Sequence, residues 1–149
     1  MRLMIRDAFL LVALAAGVPV ALGAHSAQDH QHPVDHPEGG AHRHADAAKL
    51  KNPVAPDADS IAAGRQVYER QCAGCHGDTG RGDGTMGEEL NPKPSNLVDA
   101  EWKHGSSDGE IFVVMRDGVK NTGMKPYARK MTARQIWDVV NYLRSIGPH

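Results

Sequence analysis

Cys72-Ala73-Gly74-Cys75-His76 holds both cysteines of the chain and one of its nine histidines. Two thiols three positions apart with an imidazole beside them suit three chemistries. A disulfide between them closes almost no loop, so it constrains the unfolded chain little. A thioredoxin-like redox pair shares the CxxC spacing, but it belongs to a βαβ setting and has no need of the histidine. In the third, the two thiols add to the vinyl groups of a haem to give thioethers, and the histidine ligates the iron. That chemistry employs all three side chains.

The elements that must carry these residues read as helical. Ser60 can cap a helix whose apolar stripe is Ile61, Gly64, Val67, Tyr68 and Cys72, which brings the motif to the helix end. Ser107 with Glu110 forms a capping box before Ile111, Phe112, Val114 and Met115, and Gly118 can stop that helix. Thr132 with Gln135 repeats the box before Ile136, Val140 and Leu143, and Gly147-Pro148 ends it. No run alternates in the manner of a strand. Gly77 to Pro94 reads as long loop with at most one helical turn near Met86 to Leu90, and so long a loop in a small domain needs something to wrap around. The prediction is an all-α body. Hydrophobic residues make up 40% of the chain but aromatic ones only 5%, so a bound cofactor would supply ring area that the core lacks.

Charge excludes one class of function. The 17 Lys and Arg nearly balance the 18 Asp and Glu, which leaves no strongly basic surface for nucleic acid. Placement is uneven, however. Arg116 to Arg134 contains six basic residues and one acid, whereas Asp78 to Glu110 contains eight acids and three basic residues. The first of these stretches is a candidate docking surface for an acidic partner.

Ahead of the helical body, the chain divides into two further segments. Arg2 and Arg6 precede an apolar run from Ala8 to Leu22 and then small residues, the order of a signal peptide, taken as residues 1–26, with cleavage expected after Gly23 or Ser26. The alternative is an uncleaved membrane anchor, although the run falls short of the roughly 20 residues that span a bilayer. No cysteine near the cleavage point could accept a lipid. Residues 27–56 read as a disordered linker or tail, in a stretch that holds His25, His30, His32, His36, His42 and His44. Pairs such as His30 with His32 could reach one Cu, Ni or Zn ion, though no structural-site template is met. The folded domain is predicted over residues 57–149.

Residues 60 to 147 resemble the class I c-type cytochrome domain, in particular its small bacterial periplasmic members. The resemblance is carried in order by Gly64 and Tyr68 ahead of Cys72 to His76, by Gly77 and the loop Gly80-Arg81-Gly82-Asp83-Gly84, and by Pro92-Lys93-Pro94-Ser95-Asn96-Leu97. Gly118, Gly123-Met124-Lys125-Pro126 and Tyr142-Leu143 complete it. It implies about three main helices and long loops wrapped around one haem c, bound covalently through Cys72 and Cys75. Of the methionines, Met115 sits at an apolar helix position, Met131 abuts the Thr132 cap and Met86 follows His76 closely. Met124 matches the family's Met-x-Pro ligand segment, so the implied axial pair is His76 and Met124. Filling both positions leaves no open site for substrate or oxygen, which points to electron transfer between redox proteins and away from an enzyme. A labile methionine would instead suit a haem enzyme or gas sensor, and a primary role for the histidine tract would make the chain a periplasmic copper or nickel binder. A carbonyl of the proline loop is expected to fix the other ring nitrogen of His76, and the resemblance favours that of Pro94 over that of Pro92. Trp102, Tyr127 and Trp137 are candidates for the cofactor wall or a propionate contact, and equally for plain core.

Overall fold

The computed structural model describes residues 46–147. The apolar leader and the six histidines of the tract lie outside the described residues. Four helices follow in order: α1 (Ala58–Gln71), α2 (Ala73–His76), α3 (Asp108–Asp117) and α4 (Ala133–Ile146), with single 3-10 turns at Ala47–Lys49 and Thr85–Gly87. There is no strand among the described residues, and no helix there is long and apolar enough to cross a membrane.

Local chemistry sets the ends of α3 and α4. Ser107 and Glu110 cap each other's backbone, as do Thr132 and Gln135, so both predicted capping boxes form. Gly118 ends α3 at a φ of 72°. The start of α1 differs from the sequence expectation. Asp57 caps it by accepting from the Ser60 amide at 2.8 Å, and the Ser60 hydroxyl turns inward to Asp138 at 2.6 Å. A fully buried serine opposite a carboxylate satisfies both groups, which a cap at the surface would not.

α1 packs across α4 at Gly64. A Cβ there would stand 1.9 Å from the Asp138 carbonyl oxygen, so a bare α-carbon is what lets the two backbones meet. Tyr68, Ile136, Val139 and Val140 are buried at this crossing, and the Tyr68 and Tyr142 rings lie 5.2 Å apart. Trp137 stacks on Phe112 at 4.1 Å between centroids and joins α4 to α3, which makes it core. Met131 is core too, and Met86 is exposed.

Packing begins well ahead of Asp57. Ala47 is buried, with its carbonyl against Gly109 of α3. Asn52 donates to the Asn141 side chain at 2.7 Å, and Asn141 in turn donates to the Ala55 carbonyl at 3.1 Å and the Ser60 hydroxyl at 2.9 Å. Residues 46–56, read from sequence as part of a linker, are therefore bound to the body by polar contacts that leave no apolar period in the sequence.

Candidate functional site

α1 ends at Gln71, and the next residues form the single turn of α2, which carries Cys72, Cys75 and His76 to the wall of a cleft. The remaining walls come from the proline loop around Leu90 to Leu97, the segment Glu101 to Gly105, α3, α4 and the segment after Gly118. The cleft opens to solvent at its mouth and is lined mostly by apolar side chains. Met124 lines it, as do Pro94, Trp102 and Tyr127. Cys72, Cys75 and His76 of one short motif and Met124, distant in sequence, thus share one apolar space.

The chemistry of these groups narrows what they can do. Cys72 and Cys75 stand unbridged. Burial, and then the neighbouring Cys75, pushes the Cys72 thiol up to about 12, whereas redox and nucleophilic cysteines work with lowered values. A partly buried thiol whose pKa is raised is a poor thioredoxin-type attacker. Burial holds His76 below its ordinary value despite the opposing pull of the Ser95 carbonyl, so the ring is neutral at pH 7, the form that ligates a metal. Its Nδ1 lies 3.0 Å from that carbonyl, the geometry of an N–H donating to oxygen, which leaves the Nε2 lone pair to a ligand.

That partner corrects the expected Pro94. The Pro94 carbonyl lies instead against Gly82, where a Cβ would come within 2.6 Å of it, and φ at Gly82 is +79°. The loop is shifted by one residue from the expected register, and Pro94 lines the cleft. Trp102 and Tyr127 also line the cleft, but each polar atom is engaged by backbone: Trp102 Nε1 donates to the Asp99 carbonyl at 3.1 Å, and the Tyr127 hydroxyl donates to the Gln71 carbonyl at 2.7 Å. The Tyr68 hydroxyl does likewise to Gly77 at 2.7 Å, just past the motif. Sequence reasoning did not single out Leu90, Val119 or His104, which the structure places in the wall. Nothing local marks them, since only the fold brings their loops to the cleft.

The donor set fits a haem: two free thiols one helical turn apart, a neutral imidazole held by a carbonyl, and a thioether in the same cleft. The family model for cytochrome c matches residues 61–147. The chain belongs to the cytochrome c family. Among curated relatives, the CcoP subunit of a cbb3-type cytochrome c oxidase from Azospirillum sp. (strain B510) is 29% identical over 97 residues, covering 64% of this chain and 32% of that protein. The corresponding FixP subunit from Bradyrhizobium diazoefficiens is 28% identical over 87 residues, 58% of this chain and 27% of that protein. This cytochrome c thus spans about a third of the length of the curated relatives it matches. A chain of a reducing HAO-like protein complex of Kuenenia stuttgartiensis superposes with a TM-score of 0.61 at 28% identity, covering 68% of this chain and 49% of that one. Cytochrome cL from Methylophaga aminisulfidivorans, at a TM-score of 0.52 and 24% identity over 66% of this chain and 58% of that one, shares the fold. The cofactor of the family, and of this all-α cytochrome c fold, is covalently bound haem c.

Charge around the cleft is simpler than the sequence count suggests. Arg116 pairs with Asp117 at 2.7 Å and Arg134 with Asp138 at 2.9 Å. Lys120, Lys125, Arg129 and Lys130 are exposed. Lys130 lies over the Tyr127 ring at 5.6 Å, and Lys125 donates to the Thr122 carbonyl at 3.2 Å. The basic character of this stretch therefore rests on four residues rather than six.

Proposed function

We propose that the chain is a periplasmic electron carrier, or a small electron-transfer subunit, built on one haem c. Cys72 and Cys75 would hold the cofactor through thioethers, and His76 and Met124 would ligate its iron. The haem supplies a one-electron couple at its iron. The observation that carries this reading is the convergence of all four side chains on one apolar cleft. Ser95 fixes the ring of His76 through Nδ1 and thereby presents Nε2, while the segment after Gly118 presents the thioether. A thioether opposite imidazole raises the reduction potential relative to two imidazoles. With His76 and Met124 both engaged, the iron would have no position left for substrate or oxygen, which favours electron transfer over further chemistry.

Residues 1–26 direct export in this reading, and residues 46–56 belong with the folded unit rather than with a linker. The relatives named above are oxidase subunits, which supports redox proteins as the partners here. Lys120, Lys125, Arg129 and Lys130 give an acidic partner a surface beside the methionine segment.

Optical spectra of the purified protein, oxidised and reduced, test the assignment. The wild type is expected to be low-spin, with the weak long-wavelength band of methionine sulfur on ferric haem, and Met124→Ala to lose that band. A high-spin wild type, or one that binds carbon monoxide readily, overturns the carrier reading in favour of an open or labile iron.

A further inference from the structure

Residues 118–131 join α3 to α4, and most of their hydrogen bonds run back to α3 or stay within the segment. Tyr127 N donates to the Met115 carbonyl at 3.0 Å and Ala128 N to that of Arg116 at 3.1 Å. Val119 N donates to the Met124 carbonyl at 2.9 Å, and Met124 N to the Thr122 hydroxyl at 3.0 Å. These bonds seat the segment on its own helix. They do not set its distance from the Cys72-to-His76 motif, which is reached from α1.

Among the described residues, the hydrogen bond that spans this gap is the one from the Tyr127 hydroxyl to the Gln71 carbonyl, between residues 56 apart in sequence. Gln71 is the residue immediately before Cys72. The Tyr127 ring is half-buried in the cleft wall, three residues beyond Met124. Elsewhere the segment touches the proline loop through apolar contact alone: a Cβ on Gly123 would stand 2.5 Å from Leu90 Cδ1. Among the described residues, the directional tie between the methionine segment and the end of α1 is therefore a single phenol.

We propose that Tyr127 is a positioning residue for the Met124 thioether, latching the methionine segment to the end of α1. The inference rests on Met124 being the axial ligand. With the latch closed, the thioether stays opposite His76 and outside ligands are kept from the iron. With it broken, the segment still folds on α3 but swings away more often, and the sulfur–iron bond opens more readily. One hydroxyl then sets how readily the otherwise closed carrier admits an outside ligand.

The test uses the full haem-loaded protein, oxidised, with imidazole as the incoming ligand followed by stopped-flow absorbance. Tyr127→Phe keeps the ring and removes the bond to Gln71. Imidazole binding is expected to be about fivefold faster in the variant, the factor that one net hydrogen bond of ordinary strength is worth. The sulfur–iron band should still be present before imidazole is added, and the guanidinium unfolding midpoint should move less than in Tyr68→Phe, which loses a buried bond on one side of the cleft. A wild-type band with an unchanged imidazole rate in Tyr127→Phe overturns the latch and leaves the Met124 assignment standing. So does a rate that rises only in proportion to lost global stability, the behaviour of a merely structural hydroxyl. If the wild type lacks the band, the Met124 assignment fails and the latch fails with it.

Discussion

The crossing of α1 and α4 and the loops around the cleft are built from different materials. At the crossing, Gly64 lets two backbones touch, fully buried Tyr68 and Val140 fill the contact, and Ser60, Asp138 and Asn141 satisfy one another's polar atoms. Around the cleft, long stretches such as 88–107 carry no helix, and single bonds like Leu97 N to the Gly80 carbonyl at 2.7 Å hold them. The first region is complete in itself. The second is a wall whose inner surface, in the proposed reading, faces the haem, and on that reading its stability is coupled to the cofactor by mass action. Function resides in the region that is less able to stand alone.

The largest effect should come from breaking that dependence. Cys72→Ser with Cys75→Ser removes both proposed thioether attachments, and on that reading the haem should be lost under denaturing extraction. Hydrogen exchange should show the amides of Gly82, Leu97 and Val119 losing nearly all protection, while those at the centre of α4 keep more. Equal loss in both regions would mean that they form one cooperative unit and that the contrast between them is only one of appearance.

Next in size is Gly64→Ala, which attacks the other region. The added methyl meets the Asp138 backbone, which cannot yield as a flexible side chain would. We expect about 3 kcal/mol of lost stability in guanidinium titrations, at the upper end for overpacking, with the haem spectrum of the folded fraction unchanged. An altered sulfur–iron band in that fraction would show that the crossing sets the cleft geometry directly.

Tyr68 belongs to both regions, being buried at the crossing while its hydroxyl donates to Gly77 beside the motif. Burial is the main cause that raises its pKa well above the usual 10. The folded state thus retains a proton that the unfolded chain gives up. The associated stability is whole below pH 10 and declines as pH climbs from there toward the folded value. Tyr68→Phe should cost about 1 to 2 kcal/mol at pH 7, for the bond and the carbonyl left behind, and should flatten the alkaline decline. An unflattened decline would place its origin in other groups.

How much of each region could be read beforehand follows the range of its interactions. The boxes at Ser107 and Thr132 and the stop at Gly118 depend on neighbours within a turn, and the sequence shows them directly. The haem motif is equally local, and the resemblance placed Met124 in the same cleft as His76. What escaped was long-range. Ser60 looks like a cap until Asp138, 78 residues away, claims its hydroxyl, and residues 46–56 look unstructured until Asn52 meets Asn141, 89 residues on. Ser95 in place of Pro94 is a smaller miss of the same origin, since a one-residue shift of the proline loop is set by how it crosses Gly82.

The smallest effect on stability should come from the charges on the loop region, and it separates folding from function most cleanly. Lys125 and Arg129 are exposed, and neither makes an ion pair with a carboxylate among the described residues. Lys125→Glu with Arg129→Glu should therefore change the unfolding free energy by no more than about 0.5 kcal/mol, as surface substitutions away from caps and cores do. Arg116 and Arg134 are poorer choices, because reversing either disturbs its pairing with Asp117 or Asp138. If an acidic partner docks beside the methionine segment, the double reversal should slow electron exchange with that partner at low ionic strength and weaken its dependence on salt. Stopped-flow exchange measured across a salt series reads both quantities at once. An unchanged salt slope would remove docking from this surface, and the loop region would then owe its exposed charge to solvation alone.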